Sequence, residues 1–364
     1  MNGEWMIRAL GTVAGLLLAL SLSAPVALAQ GFAGLGQSAE GFAVPVPDRP
    51  FDFPADHGAH PDYRIEWWYL TANLTGPDGT DYGIQWTLFR SALAPEGAAQ
   101  GWSRPQIWMG HAALTTADTH RVAERFARGG VGQAGVTAEP FDAWIDDWSM
   151  TSRSEMGEDA YATLDVSARG ANFSYALRLD TDAPPVPQGI DGYSVKSAEG
   201  QASYYYSQPF YTVSGTLTLD GEDIPVTGRA WLDREWSSQP LSEDQTGWDW
   251  FSLHLDSGEK VMAFRLRQTG GADYTSGTWI AADGTPTPLP DGVIEVTPLE
   301  TAEVAGRDVP VRWRLAIPER DLDIETRALN PQAWMATAFS YWEGPIRFDG
   351  TTAGIGYLEM TGYD

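Results

Sequence analysis

The sequence predicts an all-β chain built as two antiparallel β-barrel-like domains packed together. Three observations predict it: strand-turn-strand units recur along the chain, helical periodicity is scarcely visible, and part of the first half is echoed in the second. A strand over 67–74 runs into Gly76-Pro77-Asp78-Gly79 and is answered by 82–90. The same unit returns as 161–167 with 173–180, and as 213–219 through Asp220-Gly221 to 224–232. Further on, 250–255 passes through Ser257-Gly258 to 260–267, and a strand over 274–281 turns at Asp283-Gly284. Gly and Asp at these turns tolerate the backbone of a tight hairpin. Only 117–125 suggests short helical turns.

The echo lies in the hairpins. Trp68-Tyr69-Leu70, with Leu74, precedes Asp249-Trp250-Phe251, with Leu255, by 249 − 68 = 181 positions; Gly79 and Gly258 mark the two turns. Each half then enters a strand that ends in arginine, Arg90 and Arg267. The expected domains are 51–240 and 241–364, after a flexible Gly-, Ala- and Pro-rich lead-in over 30–50. Barrel closure removes exposed edges and leaves room for an apolar ligand inside or between the domains.

Residues 1–29 read as a signal peptide: Arg8 precedes an apolar run over 9–22, and Ala27-Leu28-Ala29 precedes Gln30. An exported protein, periplasmic or secreted, is therefore expected, with 364 − 29 = 335 residues after cleavage. An uncleaved membrane anchor is the competing reading, although the run is short for a span of ~20 residues. There is no cysteine, so stability rests on packing rather than disulfides. The net charge of −26 disfavours nucleic acid and anionic lipid as partners. Of 23 basic residues only Lys196 and Lys260 are lysines, leaving 23 − 2 = 21 arginines, a usage suited to bidentate pairing with carboxylates and stacking on rings.

Carboxyls set among tryptophans are the candidate chemistry: Glu66-Trp67-Trp68-Tyr69, Trp231-Leu232-Asp233-Arg234-Glu235-Trp236, Trp248-Asp249-Trp250-Phe251 and Tyr341-Trp342-Glu343. A carboxyl buried beside rings keeps its proton towards neutrality, and ring faces attract a cation. On a strand, Trp231, Asp233 and Glu235 share one face while Leu232, Arg234 and Trp236 share the other. Asp233 then reads either as a general acid, raised by Trp231 and Glu235, or as part of an arginine-carboxylate network closing a domain interface. The remaining clusters read either as core or as cavity lining. His111, in an apolar stretch, faces the same choice, and His254 points away from Leu253 and Leu255. His57 and His60 are expected on a solvated loop. No metal or cofactor is expected, and no Gly-x-Ser-x-Gly, His-Glu-x-x-His or phosphate-cradling loop is present.

At these residues the chain resembles the AttH and carotenoid 1,2-hydratase family of lipocalin-like proteins, which includes kievitone hydratase-like enzymes and, more distantly, fungal lipocalin-like cyclases. The matching strings are His60-Pro61 through Tyr69, Gly110-His111-Ala112-Ala113-Leu114, 141–148, Trp231 through Leu241, 247–253, and Tyr341-Trp342-Glu343-Gly344 through Tyr363. The resemblance implies two lipocalin-like, calycin-type β-domains with a pocket near their junction. In the hydratases an acid in a His-Asp-x-Asn-Trp-like string protonates an alkene, and that string falls on 232–236. Asp233 and Trp236 match, while Leu232 and Glu235 stand in place of the His and Asn. The exported branch it is closer to is labelled a secreted hydrolase or an ABC-transporter-associated protein.

The resemblance thus implies hydration of an isoprenoid or lipid-like alkene, with Asp233 and Glu235 as catalytic residues. Glu66, Trp68, Tyr69, His111, Trp231, Trp236, Trp250, Tyr341, Trp342 and Glu343 would bind substrate. The alternatives are a periplasmic carrier of a hydrophobic ligand serving an ABC transporter, a secreted hydrolase of unknown substrate, and an envelope protein whose clusters only fill the domain junction. Sequencing the N-terminus of exported protein should find Gln30; a retained leader would identify an anchor instead.

Overall fold

The computed structural model describes residues 40–363 apart from 96, 98, 156 and 240–243. The expected signal peptide, the first part of the lead-in and the junction at 240/241 lie outside the described residues. The first sheet holds β1 (Ile65–Thr75), β2 (Asp81–Ala92), β3 (Gln106–Thr115), β4 (His120–Arg128), β5 (Ala134–Ala138), β6 (Phe141–Ile145), β7 (Trp148–Ser152), β8 (Thr163–Arg169), β9 (Phe173–Asp180), β10 (Val186–Pro187), β11 (Tyr193–Val195), β12 (Ala202–Leu219) and β13 (Glu222–Ser237). The second holds β14 (Gln245–Leu255), β15 (Lys260–Gln268), β16 (Tyr274–Ile280), β17 (Pro286–Leu289), β18 (Glu295–Val304), β19 (Arg307–Ile317), β20 (Leu322–Ala328), β21 (Trp334–Met335), β22 (Tyr341–Gly350) and β23 (Gly354–Met360). Both sheets are antiparallel and curl into a barrel and half-barrel of lipocalin type.

The first sheet runs β4-β3-β2-β1-β13-β12-β9-β8-β7-β6-β5, and the second β17-β16-β15-β14-β23-β22-β20-β19-β18. Five expected hairpins appear as β1/β2, β8/β9, β12/β13, β14/β15 and β16/β17. At Asp220-Gly221 both residues have positive φ, 53° and 87°, the backbone that a two-residue hairpin turn demands. The suggested helical turns over 117–125 are instead a tight turn at 116–119 followed by β4. A period of two decides it: Ala123 and Ala127 pack on the first core, while Val122 and Glu124 face the other way towards Tyr341 and His111. The described part of the lead-in is tied down rather than loose, since Val46 exchanges backbone bonds with the Tyr204 hydroxyl at 2.9 and 3.1 Å.

Alternation along each strand divides the molecule into three apolar layers. Trp68, Leu70, Leu74, Leu232 and Trp236 point into the first barrel. Phe251, Leu253, Trp313, Trp342 and Leu358 fill the second. Between them lies a seam built from the outer faces, with Tyr69, Tyr205 and Trp231 meeting Trp250, Phe264 and Tyr357. The barrels approach closely here: a Cβ on Gly83 would come within 2.5 Å of Pro345 Cγ.

The sequence echo is reproduced in three dimensions. Trp68 and Asp249 both point inward, Tyr69 and Trp250 both point outward, and the outward pair meet edge to face at 5.3 Å. Each terminal arginine of the echo clamps a carboxylate at the start of its own hairpin. Arg90 and Arg234 together hold Glu66 inside the first barrel, with Arg234 lying 3.9 Å over the Trp68 ring. Arg267 and Arg265 hold Asp249 in the second, at 2.5 and 2.7 Å. Burial pushes the Glu66 carboxyl up, but the two guanidinium groups outweigh it and hold Glu66 well below the usual carboxylate range.

His57 and His60 belong to this interior rather than to a solvated loop. The His57 ring stacks at 3.9 Å on Tyr161 and its Nδ1 bonds the Tyr206 hydroxyl at 2.7 Å. His60 stacks at 4.0 Å on Trp236, with Nε2 at 3.0 Å from Asp56. Removing one member of a buried ion cluster strands the others. Glu66→Gln should therefore destabilise the protein by about 3–5 kcal/mol in urea melts. Arg153→Gln, in a surface pair with Asp165, should cost no more than about 1 kcal/mol.

Candidate active site at the seam between the barrels

Because β13 alternates, Asp233 and Glu235 leave the first barrel and enter the seam, while Leu232, Arg234 and Trp236 stay inside it. They line a narrow cavity of about 110 Å³ with Trp67, Tyr69, Tyr205, Trp250 and Phe264. Tyr69 lies opposite Asp233 in the β1/β13 register, and Ser207 lies opposite it in β12/β13.

Asp233 is buried and fully engaged. The Ser207 hydroxyl and Trp231 Nε1 donate to its Oδ1 at 2.5 and 2.6 Å, and the Tyr205 hydroxyl donates to Oδ2 at 2.7 Å. Those donors are oriented from behind, Gln188 Nε2 donating to Ser207 at 2.8 Å and Trp250 Nε1 to Tyr205 at 3.1 Å. Burial raises the Asp233 pKa to about 7; the three donors oppose the rise, and Glu235 adds to it. Trp231 thus acts against the expected direction, because its N–H stabilises the ionised form. Glu235 pairs with Lys196 Nζ at 2.8 Å and accepts from Ser203. The lysine stands over the Tyr205 and Phe264 rings at 4.9 and 4.5 Å, joining the two sides of the seam.

A second carboxyl, Glu359, enters the same cavity from β23. Trp248 Nε1 donates to it at 2.7 Å, and burial raises its pKa to about 7. From Glu359 a chain of buried polar groups runs between the barrels. Tyr69, bonded to Glu359, donates to Glu343 Oε1 at 2.5 Å; Glu343 bonds Tyr341, whose hydroxyl meets His111 Nδ1 at 3.0 Å. His111 Nε2 lies 3.0 Å from Glu124, a partly exposed carboxylate on β4. Burial, with Glu359 opposite it, pushes the Glu343 carboxyl well up, and burial pulls His111 down despite Glu124. Every link is a group able to give and accept a proton, so the arrangement can pass one between the rim and the cavity.

The expected site residues therefore divide. Asp233, Glu235, Tyr69 and Trp250 line the cavity, and Trp231 supports Asp233 from behind. His111, Tyr341 and Glu343 stand in the adjoining polar chain. Glu66, Trp68 and Trp236 point into the first barrel and Trp342 into the second, where its Nε1 donates to Pro331 O at 2.9 Å. A strand sends sequence neighbours to opposite faces, so none of these four reaches the cavity. Sequence reading missed Ser203, Tyr205, Ser207, Lys196 and Glu359. Only the strand-like run 202–207 and the rarity of lysine carried a signal for them. Among the described residues, no three His, Asp or Glu side chains converge as a metal site.

A family model described as AttH-like matches residues 44–363. The chain belongs to the AttH-like family. No curated protein matches it significantly. Among solved structures it is similar to a protein of Nitrosomonas europaea described as an AttH, with 33% identity and a TM-score of 0.77 over 89% of this chain and 100% of that one. It is also similar to kievitone hydratase from Nectria haematococca, at 19% identity and a TM-score of 0.63 over 88% and 98%. CghA, solved with Sch210972, matches at 13% identity and a TM-score of 0.51 over 83% and 89%. The last two likenesses show a shared fold.

Asp233 and Glu359 leave a thermodynamic signature. Both keep their protons to about pH 7 in the fold, whereas in the unfolded chain they ionise at ordinary carboxyl values. The folded protein therefore binds more protons across that window, and these groups' contribution to stability falls as pH rises through it. His111, His120 and His254, held neutral by burial, act in the opposite direction below their ordinary value. The difference between two proteins isolates the carboxyls. Asp233→Asn/Glu359→Gln should gain stability relative to wild type between pH 5 and pH 7, by about 1.4 kcal/mol per pH unit per carboxyl. Parallel curves in denaturant melts would show both groups already ionised.

Proposed function

We propose that this AttH-like protein hydrates a carbon-carbon double bond in an apolar, isoprenoid or lipid-like substrate. The observation that carries the reading is Asp233: a carboxyl held protonated towards neutrality, lining a narrow slot walled by Trp67, Tyr69, Tyr205, Trp250 and Phe264. In this reading Asp233 gives its proton to one alkene carbon, and the π electrons form the new C–H bond. The Trp250 and Trp67 rings face the resulting cation. Water adds to the cationic carbon, and the proton it sheds returns to the Asp233 carboxylate, so that the acid is regenerated and the net change is the addition of one water. Glu235, tied to Lys196, contributes as the neighbouring charge that keeps Asp233 protonated. A solved neighbour of the same fold is named a hydratase, which agrees in kind with this reaction.

A second reading is favoured by one detail, that both Asp233 oxygens already accept protein hydrogen bonds. An exported carrier would hold a hydrophobic ligand in the seam and pass it to or from a membrane transporter without turnover. Incubating the mature protein with acyclic isoprenoid alkenes and following gain of one water by mass spectrometry separates the two. The hydratase reading expects turnover that declines above about pH 7 and falls at least ~10²-fold in Asp233→Asn. Undiminished ligand binding in Asp233→Asn, with no product from wild type, supports the carrier.

A further inference from the structure

The seam has a second end. Beyond Trp231, whose ring meets His254 at 5.8 Å, a groove of about 960 Å³ opens between the barrels on the side away from Asp233. Its walls mix apolar side chains, Leu74, Phe210 and Ile355 among them, with polar and charged ones. Of its five basic side chains, three stand close together: Arg229 from β13, and His254 and Lys260, register partners on β14 and β15.

The charge there does not balance. Asp81 is taken up by Arg347 at 2.6 Å, Asp349 lies 3.9 Å from Arg327, and Asp180 faces Arg178 at 3.4 Å. Among the described residues neither Arg229 nor Lys260 has a carboxylate partner. Lys260 is buried, its Nζ donating to Gly258 O at 2.6 Å and standing 4.9 Å from the Phe210 ring. Burial, followed by the nearness of Arg229, lowers its pKa to about 8. His254 is buried too, and its Nδ1 has no hydrogen-bond partner. A buried cation without a carboxylate, Lys260, and the unpartnered imidazole of His254 are costly in a chain of net charge −26, where carboxylates are plentiful, and the exposed Arg229 beside them adds a further positive charge.

We infer that this groove is a binding site, separate from the Asp233 cavity, for an anionic amphiphile: a carboxylate or phosphate head held by Arg229, Lys260 and His254, with its apolar body along the groove. Such a ligand supplies the missing negative charge and covers the apolar walls at once.

The test is calorimetry on the mature protein with decanoate, decanol and inorganic phosphate at one ionic strength. Decanoate should bind, and decanol should bind at least tenfold more weakly. Arg229→Gln and Lys260→Met should each weaken decanoate at least tenfold, while Lys196→Gln, at the other end of the seam, should not. Phosphate binding that Arg229→Gln abolishes would extend the head group to phosphates. Lys260→Met should also melt higher than wild type without ligand, because it removes a buried unpaired charge; a lower melting temperature would mean that the ammonium is already compensated. Equal binding of decanoate and decanol, unchanged affinity in Arg229→Gln, or no decanoate binding by wild type overturns the inference. Phosphate binding without decanoate binding overturns the amphiphile.

Discussion

The buried Glu66 carboxylate, clamped between Arg90 and Arg234, is the constraint on which the rest depends. It ties β1 to β2 and β13 from inside the first barrel, where an unpaired charge is intolerable. A slip of one residue in either pairing would turn that charge outward and every seam residue inward. The position of Asp233, Glu235 and Tyr69 on the outer face follows from the pairing on the inner one. Asp249 with Arg265 and Arg267 does the same for β14 and β15. The two arginine-rich interiors therefore serve register, and the Glu66 carboxyl inside the first stays ionised.

Carboxyls on the other face meet the opposite environment. Among the described residues no guanidinium pairs with Asp233, Glu359 or Glu343, and burial raises all three. One chain thus keeps buried acids in two environments, Glu66 ionised within a barrel and Asp233, Glu343 and Glu359 protonated between the barrels. The division follows from which face of a strand each residue takes. It explains how a strongly acidic protein can retain neutral carboxyls at its centre.

Hairpins and facing were legible in the sequence because both are local: turn residues mark the first, and a period of two sets the second. The split of 231–236 into two faces is such a case, and so is the echo that brings Tyr69 against Trp250. Grouping Glu66, Trp68, Trp236 and Trp342 with the site went wrong where composition was read without the period. The partners of Asp233 were out of reach for another reason. Tyr205 and Ser207 come from β12, Trp250 from β14 and Glu359 from β23, and only sheet order and barrel packing bring them together. Local pattern also misread β4, whose extended form rests on its pairing with β3.

Trp231 joins these levels. Its indole N–H donates to Asp233 and its ring meets His254, so one side chain stands between a residue of the acidic cavity and a residue of the basic groove. Acids without a cationic partner and cations without a carboxylate thus lie at opposite ends of a single seam. An apolar body could lie against either end, but the ends favour different heads: protonated carboxyls suit a neutral alkene, and unpaired cations suit an anion.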